Sequence, residues 1–324
     1  MASRQAAAVA AGAGASLALA LALGLSSISG ASTSDPVLLR ITTRVPTGAR
    51  VVARPLVLTL GGPVYCNQVR SLARRLDASL LCPDYGRDGE RSGSSRARRV
   101  EDWGDPRYLA AVARLPARLK DEGVKISGLI LVGASYAGYA VAELAATHPE
   151  LRPRALIIVD GFLDLPARFR ALTVGQPTRT EMTRVLGGPL GRRRRTYELR
   201  SPSDHLGGLA ADVRHGMRLV DVWSVGARAA REFNGAMCSR DANALWLRRL
   251  ARILHRPVTG YVTRLPHAYA LWYWWPQLLA LARLAPSAKR RLPATEVVLR
   301  AGRPIPGDSL CATTRPSPPS WRSG

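Results

Sequence analysis

The sequence predicts an α/β fold in which a mostly parallel sheet is covered by helices on both faces. Short apolar runs predict buried strands, and segments with a helical period lie between them. Strands and helices that alternate at this spacing are typical of a parallel sheet with helices on both faces. The six runs that support this prediction span residues 56–60, 79–82, 128–132, 155–159, 258–263 and 296–300.

Local signals place the elements of the first third of the chain. A strand is expected over residues 37–43, with residues 50–53 as a possible partner. The amphipathic pattern of residues 68–76 predicts a helix. Asp105 and Pro106 suit the N-cap and the first position of another helix, which should run to about residue 121.

The second half of the chain divides into three stretches. No strand pattern is found over residues 165–250, which are expected to form a helical insertion or cap. A further helix is expected near residues 266–284, between the last two strands. Residues 301–324 are rich in proline and lack a periodic apolar face, so an unstructured tail is expected there. The predicted domain therefore spans residues 32–300.

The N-terminal segment predicts export. Arg4 is the only charged residue before Asp35, and it is followed by a long run of alanine and leucine. Ser29, Gly30 and Ala31 offer small residues at a cleavage site, so residues 1–31 have the layout of a signal peptide. Such a leader predicts a secreted, extracellular protein. The alternative is an uncleaved membrane anchor, because residues 6–25 approach the length needed to span a bilayer.

The formal net charge of +24 is carried almost entirely by arginine. A strongly basic chain suggests a nucleic acid or an anionic surface as a partner. However, the arginine runs at 96–99 and 192–195 are short and are not interleaved with aromatic residues. A biased composition explains the charge equally well, so no specific nucleic-acid partner is predicted.

Four cysteines in an exported chain permit disulfide bonds. Cys66 and Cys82 are the expected pair, because both follow or end strands that are expected to be neighbours. Cys238 and Cys311 could pair or remain free. The cysteines and histidines show no metal-ligand spacing, and no phosphate-binding glycine loop is found, so neither a metal nor a cofactor is predicted.

Ser135 stands at the centre of the most informative stretch. The apolar run that ends at Val132 is followed by Gly133, Ala134, Ser135, Tyr136 and Ala137, and then by an alanine-rich helical segment. Small residues two positions before and after a serine leave room for a strained turn between a buried strand and a helix. That turn is a nucleophile elbow, in which the serine hydroxyl is exposed above the sheet.

Three local matches make the chain resemble the α/β-hydrolase superfamily over about residues 56–300. Residues 60–63, Leu-Gly-Gly-Pro, look like the loop after the third strand that binds the oxyanion, in the form found in prolyl-iminopeptidase-like members. Residues 84–92 resemble the Asp-x-x-Gly-x-Gly-x-Ser loop of the family, and Ser135 stands at the elbow. The resemblance implies an α/β-hydrolase sheet with a helical cap, and a small-molecule ester or peptide as the substrate.

The resemblance also implies groups that stabilise an oxyanion. In acyl transfer the developing oxyanion needs fixed hydrogen-bond donors. The backbone N–H of Tyr136, at the start of the elbow helix, is one candidate. The second is expected from the loop at Gly62 and Val64, since Pro63 has no N–H group.

The remaining members of a catalytic triad lie outside the positions that the resemblance implies. The family order is Ser, then Asp or Glu, then His, with the acid after the seventh strand and the histidine after the eighth. No carboxylate occurs between Asp241 and Glu296, so Asp160, after the strand that follows the elbow, is the candidate acid, with Asp164 as the alternative. No histidine follows the last expected strand. His267, after the penultimate one, is the candidate base.

Two further features leave alternatives open. Tyr269, Trp272, Tyr273, Trp274 and Trp275 crowd one short segment, where they could line an acyl pocket, form an interfacial contact or pack in the core; core packing is the favoured interpretation. Three functions remain under consideration. The first is a secreted serine hydrolase, the second is a hydrolase-fold protein that has lost its triad and serves as a binding or structural module, and the third is a basic, membrane-anchored surface protein.

Overall fold

The computed structural model describes residues 25–26, 38–86, 103–172, 174–224, 239–286, 288 and 290–302. Nine strands form one sheet in the order β1-β2-β4-β3-β5-β6-β7-β8-β9. The strands, in chain order, are β1 (Leu25–Ser26), β2 (Leu38–Arg44), β3 (Arg54–Leu58), β4 (Ser79–Gly86), β5 (Ile126–Ala134), β6 (Ala155–Val159), β7 (Arg218–Ser224), β8 (Val258–Thr263) and β9 (Ala294–Leu299).

The central six strands, β4, β3, β5, β6, β7 and β8, are parallel to one another. At one edge β2 pairs antiparallel with β4 and with β1, and at the other β9 pairs antiparallel with β8. A parallel sheet needs a crossover after each strand, which explains why helices separate most of these strands along the chain. The predicted fold class, a mostly parallel sheet with helices on both faces, is confirmed.

Helices cover both faces of the sheet. One face is covered by α1 (Pro63–Arg75), α10 (Tyr269–Tyr273) and α11 (Trp275–Leu281). The other helices are α2 (Pro106–Ala113), α3 (Leu115–Asp121), α4 (Tyr136–Thr147), α5 (Leu165–Ala171), α6 (Pro177–Val185), α7 (Leu190–Leu199), α8 (Leu206–Arg214) and α9 (Ser239–Leu254). They supply most of the second and larger apolar core.

Residues 165–250 are not wholly helical, which corrects the sequence-based expectation. Helices α5 to α8 lie in the first part of this range, but β7 follows them and takes a central place in the sheet. The β7 sequence has Asp221 in the middle of an otherwise apolar run, which hid the strand pattern. The carboxylate of Asp221 is fully buried and accepts a hydrogen bond from the side-chain amide of Asn243 on α9.

Three other elements differ from their expected form. Residues 50–53 form turns rather than a strand. The helix expected over 105–121 is divided into α2 and α3, because Pro116 at the start of α3 cannot donate to the preceding turn. In the same way the helix expected near 266–284 is divided into α10 and α11, with Pro276 in the first turn of α11.

Helices α7 and α8 are attached to the sheet through α4. The hydroxyl of Tyr139 on α4 donates to the carbonyl oxygen of Arg200, directly after α7, at 2.7 Å. Gly208 on α8 lies so close to α4 that an added Cβ would collide with the carbonyl oxygen of Ala146. The elbow helix is therefore buried on almost every side, and each residue from Tyr136 to Ala146 is buried.

Cys66 on α1 and Cys82 on β4 form a disulfide bond, with their Cα atoms 5.7 Å apart. This is the pair expected from the sequence. Cys238 and Cys311, the tail beyond residue 302 and most of the predicted leader and of the 84–92 motif lie outside the described residues. In the part of the chain that the structure describes, no helix is both long and apolar enough to cross a membrane.

Candidate active site

Ser135 occupies a strained turn between β5 and α4. Its backbone has φ 55° and ψ −124°, a conformation that residues other than glycine rarely adopt. The turn is held because the N–H of Ser135 donates to the carbonyl oxygen of Val159 at 2.8 Å, and because Ala134 is paired with Val159 in the sheet. Ser135 is partly exposed, although its neighbours are buried. This is the geometry expected of a nucleophile elbow.

Close packing around three glycines explains why small residues surround the turn. A Cβ on Gly133 would collide with the backbone of Ala137, in the first turn of α4. Gly138 and Gly161 face each other, and a Cβ on Gly161 would lie 3.0 Å from the carbonyl carbon of Gly138. Because these backbones touch, α4 can start directly above the ends of β5 and β6.

Asp160 directly follows β6 and is buried, with 1% of its surface exposed. Its Oδ1 accepts a hydrogen bond from the N–H of Ser224 at 2.6 Å. Its Oδ2 accepts from the hydroxyl of Ser224 at 2.9 Å and from the N–H of Ala268 at 2.6 Å. A buried carboxylate is costly unless donors surround it, and these three donors compensate for its lost hydration.

His267 lies beside this carboxylate. Its Nδ1 is 3.7 Å from Oδ2 of Asp160, and its side chain is 6% exposed. Contacts on both sides fix the position of the histidine. The Ala268 N–H donates a hydrogen bond to Asp160, and the carbonyl oxygen of Pro266 lies 3.4 Å from the hydroxyl oxygen of Ser224. The structure thus brings the candidate base and the candidate acid together.

The strand order corrects the expectation that His267 lies outside the position that the resemblance implies. Strand β8, which ends at Thr263, is the eighth strand of the sheet and is parallel to β7. Strand β9 is an additional antiparallel strand at the edge. His267 therefore follows the eighth strand, where the α/β-hydrolase resemblance places the histidine. Ser224 is the last residue of β7, and residues 225–238, which follow this strand, lie outside the described residues.

Ser135 and this pair all lie at the carboxyl ends of the parallel strands. Ser135 follows β5, Asp160 follows the neighbouring β6, and their backbones are connected through the hydrogen bond from Ser135 to Val159. Ligands of open parallel sheets bind at the carboxyl ends of the strands, which is this edge. The predicted Ser135, Asp160 and His267 therefore share one edge of the sheet.

The alternative acid and the other histidines lie away from this pair. Asp164 caps α5, where its carboxylate accepts a hydrogen bond from the N–H of Ala167 at 2.7 Å. His148 contacts Glu150 at 2.8 Å, and His205 lies 3.5 Å from Glu143. His215 and His255 directly follow α8 and α9, at the edge of the sheet opposite Ser135.

The predicted oxyanion donors lie on two helix starts that meet at the elbow. Tyr136 is the first residue of α4, and Val64 is the second residue of α1, directly after Pro63. First-turn N–H groups point out of a helix end rather than to an acceptor within the helix. Strand β3, which precedes α1, is the neighbour of β5 in the sheet, so both helix starts lie at the same edge.

An aromatic contact joins the predicted oxyanion loop to the elbow. Gly61 and Gly62 both have positive φ angles, 88° and 82°, and Gly62 is the N-cap of α1. A Cβ on Gly61 would lie 2.6 Å from the ring of Tyr65 and 3.0 Å from the ring of Tyr136. Trp103 packs against Tyr136 from another side, with ring centroids 5.4 Å apart. The loop backbone therefore lies directly against the elbow residue.

Three residues near the candidate triad were not found from the sequence. Ser224 lies on the strand that the sequence pattern did not reveal. The ring of Phe162 is parallel to the imidazole of His267, with centroids 6.5 Å apart, and the guanidinium of Arg168 lies 4.2 Å from the centre of the Phe162 ring. Phe162 follows Asp160 by two residues, and that short spacing was the only signal in the sequence.

The aromatic segment after His267 does not pack wholly in the core, contrary to the favoured interpretation. Tyr269, Trp272 and Tyr273 are exposed by 37%, 48% and 64%. Only Trp274 and Trp275 pack against the smaller apolar core, and they remain partly exposed. The helix α10 buries Ala270 and Leu271 instead.

Burial raises the pKa of two further carboxyls. The pKa of Asp221 is raised well above its usual value by burial and by the nearby charge of Asp160. The pKa of Asp212 on α8 is raised to about 7, mainly by burial and also by Glu150. In the described ranges, no three His, Cys, Asp or Glu side chains cluster so as to hold a metal ion.

Solved structures share this architecture, although no protein-family model and no curated protein sequence matches the chain. A puromycin-hydrolysing peptidase from Mycobacterium tuberculosis superposes with a TM-score of 0.52, at 17% identity over 80% of this chain and 40% of the peptidase. An acylaminoacyl peptidase from Pyrococcus horikoshii gives 0.53, at 13% identity over 78% of this chain and 41% of that one. For carboxyl esterase 2 of Tuber melanosporum the TM-score is 0.48, at 14% identity over 76% and 81% of the two chains.

The chain spans about two fifths of the length of the two peptidases. Similarity at this level of identity concerns the fold alone. The superposition, the order of the first eight strands and the strained serine turn after β5 agree with one another. The chain has the α/β-hydrolase fold.

Proposed function

We propose that this protein is a serine hydrolase that cleaves an ester or a small peptide through a covalent acyl-enzyme on Ser135. Asp160 and His267 complete the catalytic triad. The observation that carries the proposal is the position of Asp160, whose buried carboxylate holds the His267 loop at the edge of the sheet where Ser135 is exposed.

In the first step, the Oγ of Ser135 bonds to the carbonyl carbon of the substrate while His267 accepts the hydroxyl proton. The carbonyl oxygen becomes an oxyanion, which accepts hydrogen bonds from the N–H groups of Tyr136 and of the loop at Gly62 and Val64. When the oxyanion collapses, the bond to the leaving group breaks, and His267 gives its proton to that group. A water molecule then releases the acid by the same route, with His267 again as the base.

Asp160 acts on His267 rather than on the substrate. Its Oδ2 faces Nδ1 of the imidazole, which favours the proton on Nδ1 and leaves Nε2 to exchange a proton with Ser135. When His267 becomes an imidazolium, the carboxylate stabilises the positive charge. Hydrogen bonds in such sites are often longer before substrate binds, which accords with the distance of 3.7 Å.

The test is labelling of the purified full chain with a fluorophosphonate probe, which reacts only with an activated serine. We expect wild type to gain the mass of the probe on the peptide that contains Ser135. Ser135→Ala should abolish labelling, and His267→Ala should slow it by at least about 10³-fold. His215→Ala, on the opposite edge of the sheet, is the matched control and should label like wild type.

Two outcomes would reject the proposal. Labelling that persists in Ser135→Ala would exclude the elbow serine as the nucleophile. Folded wild type that gains no probe would instead favour a hydrolase-fold protein that binds ligands without catalysis.

We also propose that the protein is secreted. The apolar segment between Arg4 and Ala31 supports export, and the disulfide between Cys66 and Cys82 is of a kind that persists in oxidising compartments. Expression with a C-terminal tag tests this proposal. Export predicts a shortened chain in the medium, whereas a full-length chain in the cell membrane would indicate an uncleaved anchor.

A further inference from the structure

Helix α10 exposes a group of amphipathic aromatic side chains. Tyr269, Trp272 and Tyr273 form this aromatic face, and the rings of Tyr269 and Tyr273 stack with their centroids 4.3 Å apart. Soluble proteins expose large apolar side chains singly, and a group of them marks an interaction surface. Tyrosine and tryptophan, with an apolar ring and a polar group, are the side chains that suit the boundary between water and lipid.

The charged residues of the helices in this layer have one sign. The three helices of this layer, α1, α10 and α11, contain no aspartate or glutamate, and α1 carries Arg70, Arg74 and Arg75. Residues 264–295, which contain the aromatic face, likewise contain no carboxylate. Their basic residues are Arg264, Arg283, Lys289, Arg290 and Arg291.

The cations of this layer lie close to the aromatic segment. Arg264 is exposed between β8 and α10, three residues before His267. Arg75 and Arg290 line a cavity of about 500 Å³ together with Trp275, which follows the aromatic face in sequence. An anionic surface would therefore meet both arginine side chains and aromatic rings on this side of the molecule.

We propose that the aromatic face binds the surface of anionic lipid membranes or lipid aggregates. The rings of Trp272 and Tyr273 insert at the level of the head groups, and the surrounding arginines are attracted to the negative surface. The absence of carboxylates from these helices favours a negatively charged surface over a neutral one, because the charged side chains of the helices are all basic.

The position of the aromatic face has a consequence for the substrate. Helix α10 begins two residues after His267, so the face lies at the edge of the sheet that carries the candidate triad. A membrane bound there presents its ester groups to that edge. The proposal of lipid binding depends only on the exposed aromatic face and the arginines of this layer. The inference that a lipid ester is the substrate rests on the proposed hydrolase function.

Sedimentation of the full chain with vesicles tests the binding surface. We expect binding to vesicles of phosphatidylcholine with about 30% phosphatidylglycerol to exceed binding to pure phosphatidylcholine by at least about tenfold, and to weaken with salt. The double variant Trp272→Ser with Tyr273→Ser should reduce binding to the mixed vesicles by at least about tenfold.

A matched control separates this surface from general hydrophobicity and charge. Leu245→Ser with Val298→Ser removes two side chains that are each 42% exposed, on α9 and β9, and should leave vesicle binding within about twofold of wild type. Equal losses in the two double variants would overturn the proposal. Wild-type binding to soluble heparin that matches vesicle binding, and is unaffected by the aromatic variants, would instead indicate an acidic polymer as the partner.

Fluorophosphonate labelling in solution keeps the two proposals distinguishable. The aromatic variants should label at the wild-type rate, since neither Trp272 nor Tyr273 belongs to the candidate triad. Wild type that binds vesicles but does not label would retain the lipid surface and reject the hydrolase. Wild type that labels but does not bind vesicles would retain the hydrolase and reject the lipid surface.

Discussion

Ser224 donates two hydrogen bonds to Asp160, one from its backbone N–H and one from its hydroxyl, so that each carboxylate oxygen accepts one of them. The two residues lie at the ends of neighbouring parallel strands, β6 and β7. In the α/β-hydrolase resemblance the acid follows the seventh strand, whereas Asp160 follows the sixth. The Oδ2 of Asp160 lies 3.7 Å from Nδ1 of His267, and the two hydrogen bonds from Ser224 hold the carboxylate in this position.

The first prediction concerns this pair. Asp160→Asn should slow fluorophosphonate labelling by about 10³-fold or more, because an amide favours the wrong imidazole tautomer and does not stabilise an imidazolium. Ser224→Ala, which loses one of the three hydrogen bonds to Asp160, should slow labelling by about tenfold. Asp164→Asn, at the N-cap of α5, is the matched control and should label normally. If Asp164→Asn labels slowly and Asp160→Asn labels at the wild-type rate, Asp164 is the acid of the triad instead.

The second prediction concerns the strain at Ser135. Glycine adopts a positive φ without the steric cost that a Cβ imposes. Ser135→Gly should therefore raise the free energy of unfolding by about 0.5–2 kcal/mol, whereas Ser135→Ala, which keeps the Cβ, should change it by less than about 0.5 kcal/mol. Chemical denaturation of both variants checks this difference. If glycine stabilises no more than alanine does, the turn is not strained.

The third prediction compares two adjacent glycines at the start of α8. Gly208 is packed against the backbone of Ala146 on α4, whereas no atom lies within 4 Å of a Cβ built on Gly207. Gly208→Ala should destabilise the protein by about 1–3 kcal/mol, because one of the two helices must move. Gly207→Ala, at an exposed helical position, should stabilise it by up to about 1 kcal/mol. Denaturant midpoints measure both, and equal effects would contradict the close contact between α8 and α4.

The fourth prediction concerns the pH dependence of stability through Asp212. An unfolded aspartate titrates near pH 4, whereas burial and Glu150 raise the pKa of Asp212 to about 7 in the folded protein. Between these values the folded protein binds more protons than the unfolded one. The contribution of Asp212 to stability therefore falls as the pH rises from about 4 to about 7, and is constant above that.

Asp212→Asn removes this titration. Relative to wild type, the variant should gain about 2–3 kcal/mol more in the free energy of unfolding at pH 8 than at pH 5. Urea denaturation at both pH values measures the difference. Glu150→Gln, which removes the like charge beside Asp212, should give a smaller change in the same direction. An identical effect of Asp212→Asn at both pH values would show that this carboxyl does not titrate in that range.

Much of the fold follows from local sequence patterns. The buried strands at residues 56–60, 128–132 and 155–159 are apolar because both faces of a parallel sheet are covered, and that pattern is visible without tertiary information. The elbow is equally local, since Gly133, Ser135 and Gly138 are determined by a backbone turn of six residues. Strand β7 was missed because Asp221 interrupts its apolar run, and its partner Asn243 lies far along the chain.

By itself, the sequence determined the alternation of strands and helices, the elbow at Ser135, the cysteine pair and the candidates Asp160 and His267, because each depends on residues close together or on the order along the chain. Only the tertiary structure decided that His267 follows the eighth strand, that Ser224 donates to Asp160, and that three aromatic rings of α10 are exposed. These relations join residues from about 40 to more than 100 positions apart, or depend on which side of a helix meets the sheet. The order of strands in the sheet fixes such contacts, and no local periodicity encodes that order.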